Sequence, residues 1–180
     1  MRRFMGIYIA ERITIPDMKK LLILGAGQYG MVAKEIAEAA GDYGQIDFLD
    51  DKNPIAVGKM NEYEKFQNDY DAAIAAIGNP EMRMELLEKL QKNGFEIPVL
   101  IHPGAYVSRS AVVMYGSFIE PMAVIHTDVH IGIGCIISAG TIVNHNSKIG
   151  SGCHLNCGTV VASNSVIQSR TKTQYGTIVI

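Results

Sequence analysis

The amino-acid sequence predicts two units in one chain, a small α/β unit with a parallel sheet and then a parallel β-helix. Three observations predict this. A β-branched or leucine residue recurs at every sixth position: Ile101, Val107, Val113, Ile119, Ile125, Ile131, Ile137, Val143, Ile149, Leu155, Val161 and Ile167. Two further registers run in phase with that ladder. Upstream of it, a short apolar run, a glycine-rich loop and a helix-patterned segment follow one another in βαβ order.

In the repeat, the position two before each rung is small or nearly so: Ala105, Ala111, Ser117, Ala123, Val129, Cys135, Thr141, Ser147, Cys153, Thr159 and Ser165. The position three after each rung favours residues that tolerate a left-handed backbone: Gly104, Ser110, Gly116, Asp128, Gly134, Gly140, Asn146, Gly152, Gly158 and Asn164, with Met122 the exception. A short strand, an inward aliphatic and a corner every six residues describe a three-sided solenoid in which residues eighteen apart stack. With coils ~4.8 Å apart, the repeat makes a prism on the order of 20 Å tall. Each buried rung contributes roughly 1.5–3 kcal/mol, but only once a neighbouring coil covers it.

In the first half, residues 20–24 form an apolar strand, Gly25-Ala26-Gly27-Gln28-Tyr29-Gly30 a glycine loop, and residues 31–40 a helix. A second strand over 45–49 ends in Asp50 and Asp51, and a third over 71–77 is closed by Gly78 and Asn79. Asn79 followed by Pro80 reads as an N-cap with proline in the first turn, and that helix stops at Gly94. A last strand over 97–101 enters the first coil. Gly25 and Gly27, placed between a strand and a helix, let phosphate oxygens approach backbone N–H groups at the helix N-terminus. About eighty residues from position 18 to 97 are too few for the two halves of a dinucleotide fold, so one nucleotide is expected rather than NAD.

Composition bounds the function. The chain has 180 residues, a net charge of −2 and 48% hydrophobic residues, which suits a globular protein and leaves no basic face for nucleic acid. No apolar run approaches the roughly 20 residues of a membrane span, and a cytoplasmic location is expected. The three cysteines form no CxxC pair or His-rich cluster, so no metal is expected. Cys135 and Cys153, eighteen apart in the small inward register, are expected to stack as reduced core residues. Residues 1–17 read as an extension of unknown role, 18–97 as the nucleotide-binding unit and 98–180 as the β-helix.

A small nucleotide-binding α/β unit followed directly by hexapeptide repeats, with Asn144-His145-Asn146 in the middle coils, resembles the sugar acyltransferases of the bacillosamine N-acetyltransferase and sialic acid O-acetyltransferase type. The resemblance runs from residue 18 to about 166. It implies that the α/β unit is half a Rossmann fold holding a UDP-sugar or related acceptor, that the β-helix is left-handed, and that three subunits form a trimer with acetyl-CoA between neighbouring β-helices. It assigns acceptor binding to Gly25, Gly27, Gln28, Tyr29, Gly30, Asp50, Asp51, Gly78 and Asn79. His145 matches the catalytic histidine, with Asn146 beside it, and His154 matches a histidine that contacts the acetyl donor.

The chemistry makes His145 a reasonable base on independent grounds. An amine or hydroxyl attacking a thioester must lose a proton, and imidazole is suited to take it near neutral pH. Its register points it outward, stacked between Thr127 and Ser163. Three features depart from the family. Asn146 stands where relatives have Glu or Asp, and Gln28-Tyr29 stands where they often have Gly-His. The ladder is also expected to lapse at Thr173, leaving the donor site short of coils. Two classes of function therefore follow: an acetyl-CoA-dependent acyltransferase acting on a nucleotide-linked sugar in polysaccharide biosynthesis, or a non-catalytic sugar-nucleotide-binding trimer.

Overall fold

The computed structural model describes residues 18–180, so the extension over 1–17 lies outside the described residues. Three parallel strands, β1 (Lys19–Leu24), β2 (Tyr43–Leu49) and β3 (Ala72–Ala75), form a sheet in the order β2-β1-β3. Helix α1 (Gln28–Ala40) crosses from β1 to β2, and α2 (Pro80–Lys92) follows β3. A 3₁₀ helix, Met60–Phe66, lies between β2 and β3 and was not anticipated from the sequence. Leu21, Leu22, Ile23 and Leu24 are all fully buried, as expected of a central parallel strand covered on both faces.

Two boundaries differ most from the sequence expectation. Helix α1 begins at Gln28 rather than 31, with Gly27 as its N-cap. The loop is therefore only Gly25 to Gly27, and Gly30 sits inside the first helical turn. Gly30 still has a steric reason, because a Cβ there would lie 2.0 Å from the Gly25 carbonyl oxygen. The last strand is only Leu100–Ile101. Asn79 does cap α2, its Oδ1 accepting from the Met82 N–H at 2.8 Å.

From Leu100 the chain is a left-handed β-helix of two-residue strands. The first wall stacks Leu100–Ile101, Phe118–Ile119, Ile136–Ile137 and His154–Leu155. The second stacks Tyr106–Val107, Val124–Ile125, Ile142–Val143, Val160–Val161 and Ile178–Val179. The third stacks Val112–Val113, His130–Ile131, Lys148–Ile149 and Val166–Ile167. Every partner is eighteen residues away, so Ile119, Ile137 and Leu155 share one wall as the hexad spacing requires. The rungs and the small residues two before them make one continuous core from Ile119 to Ile167, with the free thiols of Cys135 and Cys153 inside it.

Corner geometry corrects three positions. Met122, out of pattern by residue type, has φ 63° like its neighbours, whereas Gly104 and Ser110 are not left-handed. Neither belongs to a corner with a coil on both sides. The ladder also does not lapse at Thr173. That residue is buried; its Oγ1 accepts from the Asn156 N–H at 2.9 Å and lies 2.8 Å from Thr159 Oγ1, and the next rung, Val179, pairs with Val161. A hydroxyl substitutes for an aliphatic here because the coil below supplies polar partners. The solenoid thus reaches Val179.

The two units share a core. Phe118 and Ile136 point out of the first wall, yet are fully buried among Leu86, Leu87 and Leu90 of α2. Arg83, on the same stripe of α2, is also fully buried. Its Nε donates to the Gly134 carbonyl (2.8 Å) and Nη2 to that of Gly152 (2.9 Å), while Nη1 donates to that of Ile77 (2.6 Å). One side chain therefore ties the end of β3 to two successive corners of the prism.

Candidate active site

The glycine loop, the end of β2 and the end of β3 enclose a cavity of about 240 Å³ lined by Gly25, Gly27, Gln28, Tyr29, Asp50, Met60, Ala76, Ile77, Gly78 and Met82. The carboxyl ends of parallel strands are where open α/β sheets bind ligands. Helix α1 starts at this cavity with neither a side-chain cap nor an acidic residue in its first turn, so its leading N–H groups and positive dipole end are available to an anion. Gly78 is needed because a Cβ there would lie 2.8 Å from the Tyr29 ring.

Of the nine residues expected to bind the acceptor, Gly25, Gly27, Gln28, Tyr29, Asp50 and Gly78 line this cavity. Gly30, Asp51 and Asn79 do not; they shape the frame. Asp51 accepts from the Met60 N–H at 3.2 Å. Asp50 does both. Its carboxylate accepts the N–H groups of Ala26 (2.8 Å), Lys52 (2.8 Å) and Asn53 (2.9 Å). These bonds hold its pKa below the usual carboxylate value and leave about one of its roughly four lone-pair positions for a ligand. Asn53 completes the loop by donating to the Ala26 carbonyl at 2.7 Å.

His145 lies elsewhere. It follows Val143 at the corner between the second and third walls, the corner opposite the first wall on which the α/β unit sits. The His126 ring one coil below is 6.1 Å away, centroid to centroid. Asn146, left-handed at φ 59°, places its carboxamide nitrogen 3.1 Å from His145 Nδ1. The carboxamide can equally present its oxygen to that atom. In that orientation it accepts from Nδ1–H and leaves the Nε2 lone pair free as a base, which is the arrangement general-base chemistry requires.

His154 is only 2% exposed and stands on the first wall beneath Tyr29, whose ring meets it edge-on at 5.3 Å. It therefore faces the seam between the two units. Its Nε2 lies 3.3 Å from Ser138 Oγ, and its Nδ1 is buried without a partner among the described residues. Burial, helped by Lys172 and Arg83, pushes its pKa down to about 4, so the ring is neutral at pH 7.

Reading the sequence missed Arg83 and Ser138. Arg83 had a signal: it occupies the i position of an i, i+3, i+4, i+7 stripe completed by Leu86, Leu87 and Leu90. A charge in an apolar stripe marks a buried polar contact. Ser138 had none, since it sits at an ordinary corner position.

Comparison with known proteins follows this geometry. Residues 20–90 match the family described as the PglD N-terminal domain. Over 112 residues the chain is 32% identical to UDP-N-acetylbacillosamine N-acetyltransferase of Bacillus subtilis, covering 57% of this chain and 51% of that protein. The acetyltransferase domain of PglB from Neisseria gonorrhoeae superposes with a TM-score of 0.84 at 27% identity, covering 90% of this chain and 91% of the other. The chain is thus similar in sequence to sugar N-acetyltransferases and in fold to an acetyltransferase domain. The same PglB domain in complex with acetyl coenzyme A superposes at a TM-score of 0.62 and 29% identity, covering 89% of this chain and 84% of the other. This chain spans about half the length of the curated relative from Bacillus subtilis. Among the described residues no helix is long and apolar enough to cross a membrane, and no group of three His, Cys, Asp or Glu is placed to hold a metal ion.

Proposed function

We propose that this protein transfers the acetyl group of acetyl-CoA to an amine or hydroxyl of a nucleotide-linked sugar, with His145 as general base. The observation that carries the proposal is the cavity at the N-terminus of α1 together with an imidazole held by a side-chain amide at a solenoid corner. The anionic phosphates of the nucleotide suit the helix end, and Asp50 accepts from a ribose hydroxyl. His145 Nε2 removes the acceptor proton as nitrogen or oxygen attacks the thioester carbonyl. The tetrahedral intermediate collapses with loss of CoA thiolate, which is then protonated. The match to relatives that are N-acetyltransferases of sugar nucleotides favours an amine acceptor.

The position of His145 supports a trimer. A base must reach its proton within roughly 3 Å, yet His145 stands at the vertex opposite the wall that carries the cavity. The imidazole serving a given cavity therefore comes from a neighbouring copy. The outward column of the second wall, Tyr106, Val124, Ile142, Val160 and Ile178, is apolar throughout, with Tyr106, Ile142 and Ile178 exposed. Such a stripe fits burial against another subunit.

The experiment is thiol release from acetyl-CoA with a panel of UDP- and GDP-linked amino sugars. The wild-type protein is expected to show transfer, and His145→Ala a loss of roughly 10²- to 10⁴-fold at unchanged assembly mass. Undiminished transfer in His145→Ala removes the general base. Sugar-nucleotide binding without any heat on adding acetyl-CoA establishes the non-catalytic reading instead.

A further inference from the structure

Arg83 carries a charge that its own surroundings leave unbalanced. It is fully buried, and its guanidinium donates only to neutral carbonyls: those of Gly134 (2.8 Å), Gly152 (2.9 Å), Ile77 (2.6 Å) and Gly78 (3.3 Å). No carboxylate among the described residues makes an ion pair with it, and its helix neighbours Glu81 and Glu85 are exposed. Cys153, next to Gly152, is pulled down to about 7 by the Cys135 thiol. Its S–H is directed at the Gln168 carbonyl (3.1 Å), so at pH 6 it remains a thiol. Burial lowers the pKa of Arg83, yet a guanidinium stays charged at neutral pH. A charge taken out of water is costly until an opposite one balances it.

The carbonyls that Arg83 holds decide where that balance lies. Ile77 and Gly78 line the acceptor cavity, whereas Arg83 stands behind them at the seam. In the trans Ile77–Gly78 peptide the C=O and N–H point in opposite directions. With the Ile77 carbonyl turned to Nη1, the Gly78 N–H is turned to the cavity side, and it has no acceptor among the described residues. The glycine loop lies directly alongside, since a Cβ on Gly25 would be 3.0 Å from the Ala76 carbonyl oxygen. The open N-terminus of α1 and the Gly78 N–H thus flank the same cavity.

We propose that Arg83 is a positioning residue for the acceptor: through the Ile77 carbonyl it aims the Gly78 N–H at a diphosphate lying at the N-terminus of α1, and that diphosphate is the counter-charge of the buried guanidinium. The inference rests on the acetyltransfer reading for its ligand class, a nucleoside diphosphate. The guanidinium does not touch the ligand. It acts across the thickness of one peptide chain, where opposite charges are worth roughly tenfold in affinity. This role is separable from that of the staple. A lysine keeps the charge but not the fork that grips two prism corners at once, whereas a glutamine is neutral.

The test titrates the full chain at pH 6 with UDP, GDP and the parent nucleosides uridine and guanosine, following the backbone amides by ¹H–¹⁵N correlation. In the wild type, the diphosphate that binds is expected to move the Gly78 amide proton downfield, and its nucleoside to leave it in place. Arg83→Gln is expected to weaken the diphosphate roughly tenfold and the nucleoside by less than about twofold, and Arg83→Lys to stay within about threefold for both. A staple alone predicts equal losses for diphosphate and nucleoside in both variants, and that result overturns the proposal. So does a Gly78 amide that stays in place while the diphosphate binds, a readout that holds even where Arg83→Gln does not fold. Loss of the diphosphate in Arg83→Lys with the nucleoside retained overturns the counter-charge. Failure of both UDP and GDP to bind the wild type is a distinct outcome, which discards the nucleotide-linked acceptor and this role with it.

Discussion

Along the first wall of the prism the outward residues Leu100, Phe118, Ile136 and His154 are buried, whereas along the second Tyr106, Ile142 and Ile178 stand in solvent. The inner ladders of the two walls are alike, aliphatic and closed. What separates the walls is the α/β unit, which packs α1 on Leu100–Ile101, Tyr29 on His154 and Leu87 of α2 at the Gly116 and Gly134 corners of the first wall. Inward residues are thus set by stacking of the solenoid on itself, and outward ones by whatever covers the wall. His154 belongs to the covered wall and is a neutral, buried ring; His145 follows the uncovered wall and remains partly open to solvent.

The comparison can be broken most severely at the staple of the covered wall. Arg83→Ala removes the partner of the Ile77, Gly134 and Gly152 carbonyls and leaves a cavity, and is expected to cost about 3–5 kcal/mol in urea unfolding. A loss below about 1 kcal/mol would mean that the two units are joined by apolar contact alone.

The next effect is a pH dependence confined to the covered wall. His154 has its pKa depressed from 6.5 to about 4 in the folded state, so between those values the unfolded chain binds more protons. Stability from this group is fully present above pH 6.5, falls as pH drops from about 6.5 to 4, and is flat below. The total loss is on the order of 3 kcal/mol. Urea midpoints measured across that range should fall in the wild type and lose this component in His154→Asn.

On the uncovered wall, Ile142→Lys should change the stability of the isolated subunit by no more than about 0.5 kcal/mol, while light scattering shows the assembly falling to single subunits and acetyl transfer is lost with it. An unchanged mass would place the intersubunit contact on another wall. The smallest effect is at Asn146. Asn146→Asp gives His145 a carboxylate that stabilises the imidazolium, and should raise the rate by less than about tenfold, read as kcat.

The repeat was legible in the sequence because each rung makes the same contact with the rung eighteen residues on, so a local period reports a tertiary structure directly. The acceptor loop was partly legible for a similar reason. Gly25, Gly27 and Asp50 line the cavity, but Gly30, Asp51 and Asn79, equally conspicuous in sequence, turned out to hold the frame. Gly30 fell on the helix rather than the loop because close packing against the Gly25 carbonyl, not ligand access, requires a missing Cβ. Thr173 broke the residue pattern without breaking the fold, since its hydroxyl found Asn156 and Thr159.

By itself, then, the sequence determined the three-sided solenoid, the βαβ order ahead of it, the inward registers and the corner at which His145 stands, all of which depend on spacing along the chain. Only the tertiary structure decided which wall the α/β unit covers, that Arg83 staples the two units, that His154 is buried beneath Tyr29 beside Ser138, and that His145 stands opposite the cavity. Those depend on the docking of one unit on the other, which brings together residues with no common period and so leaves no regular mark in the chain.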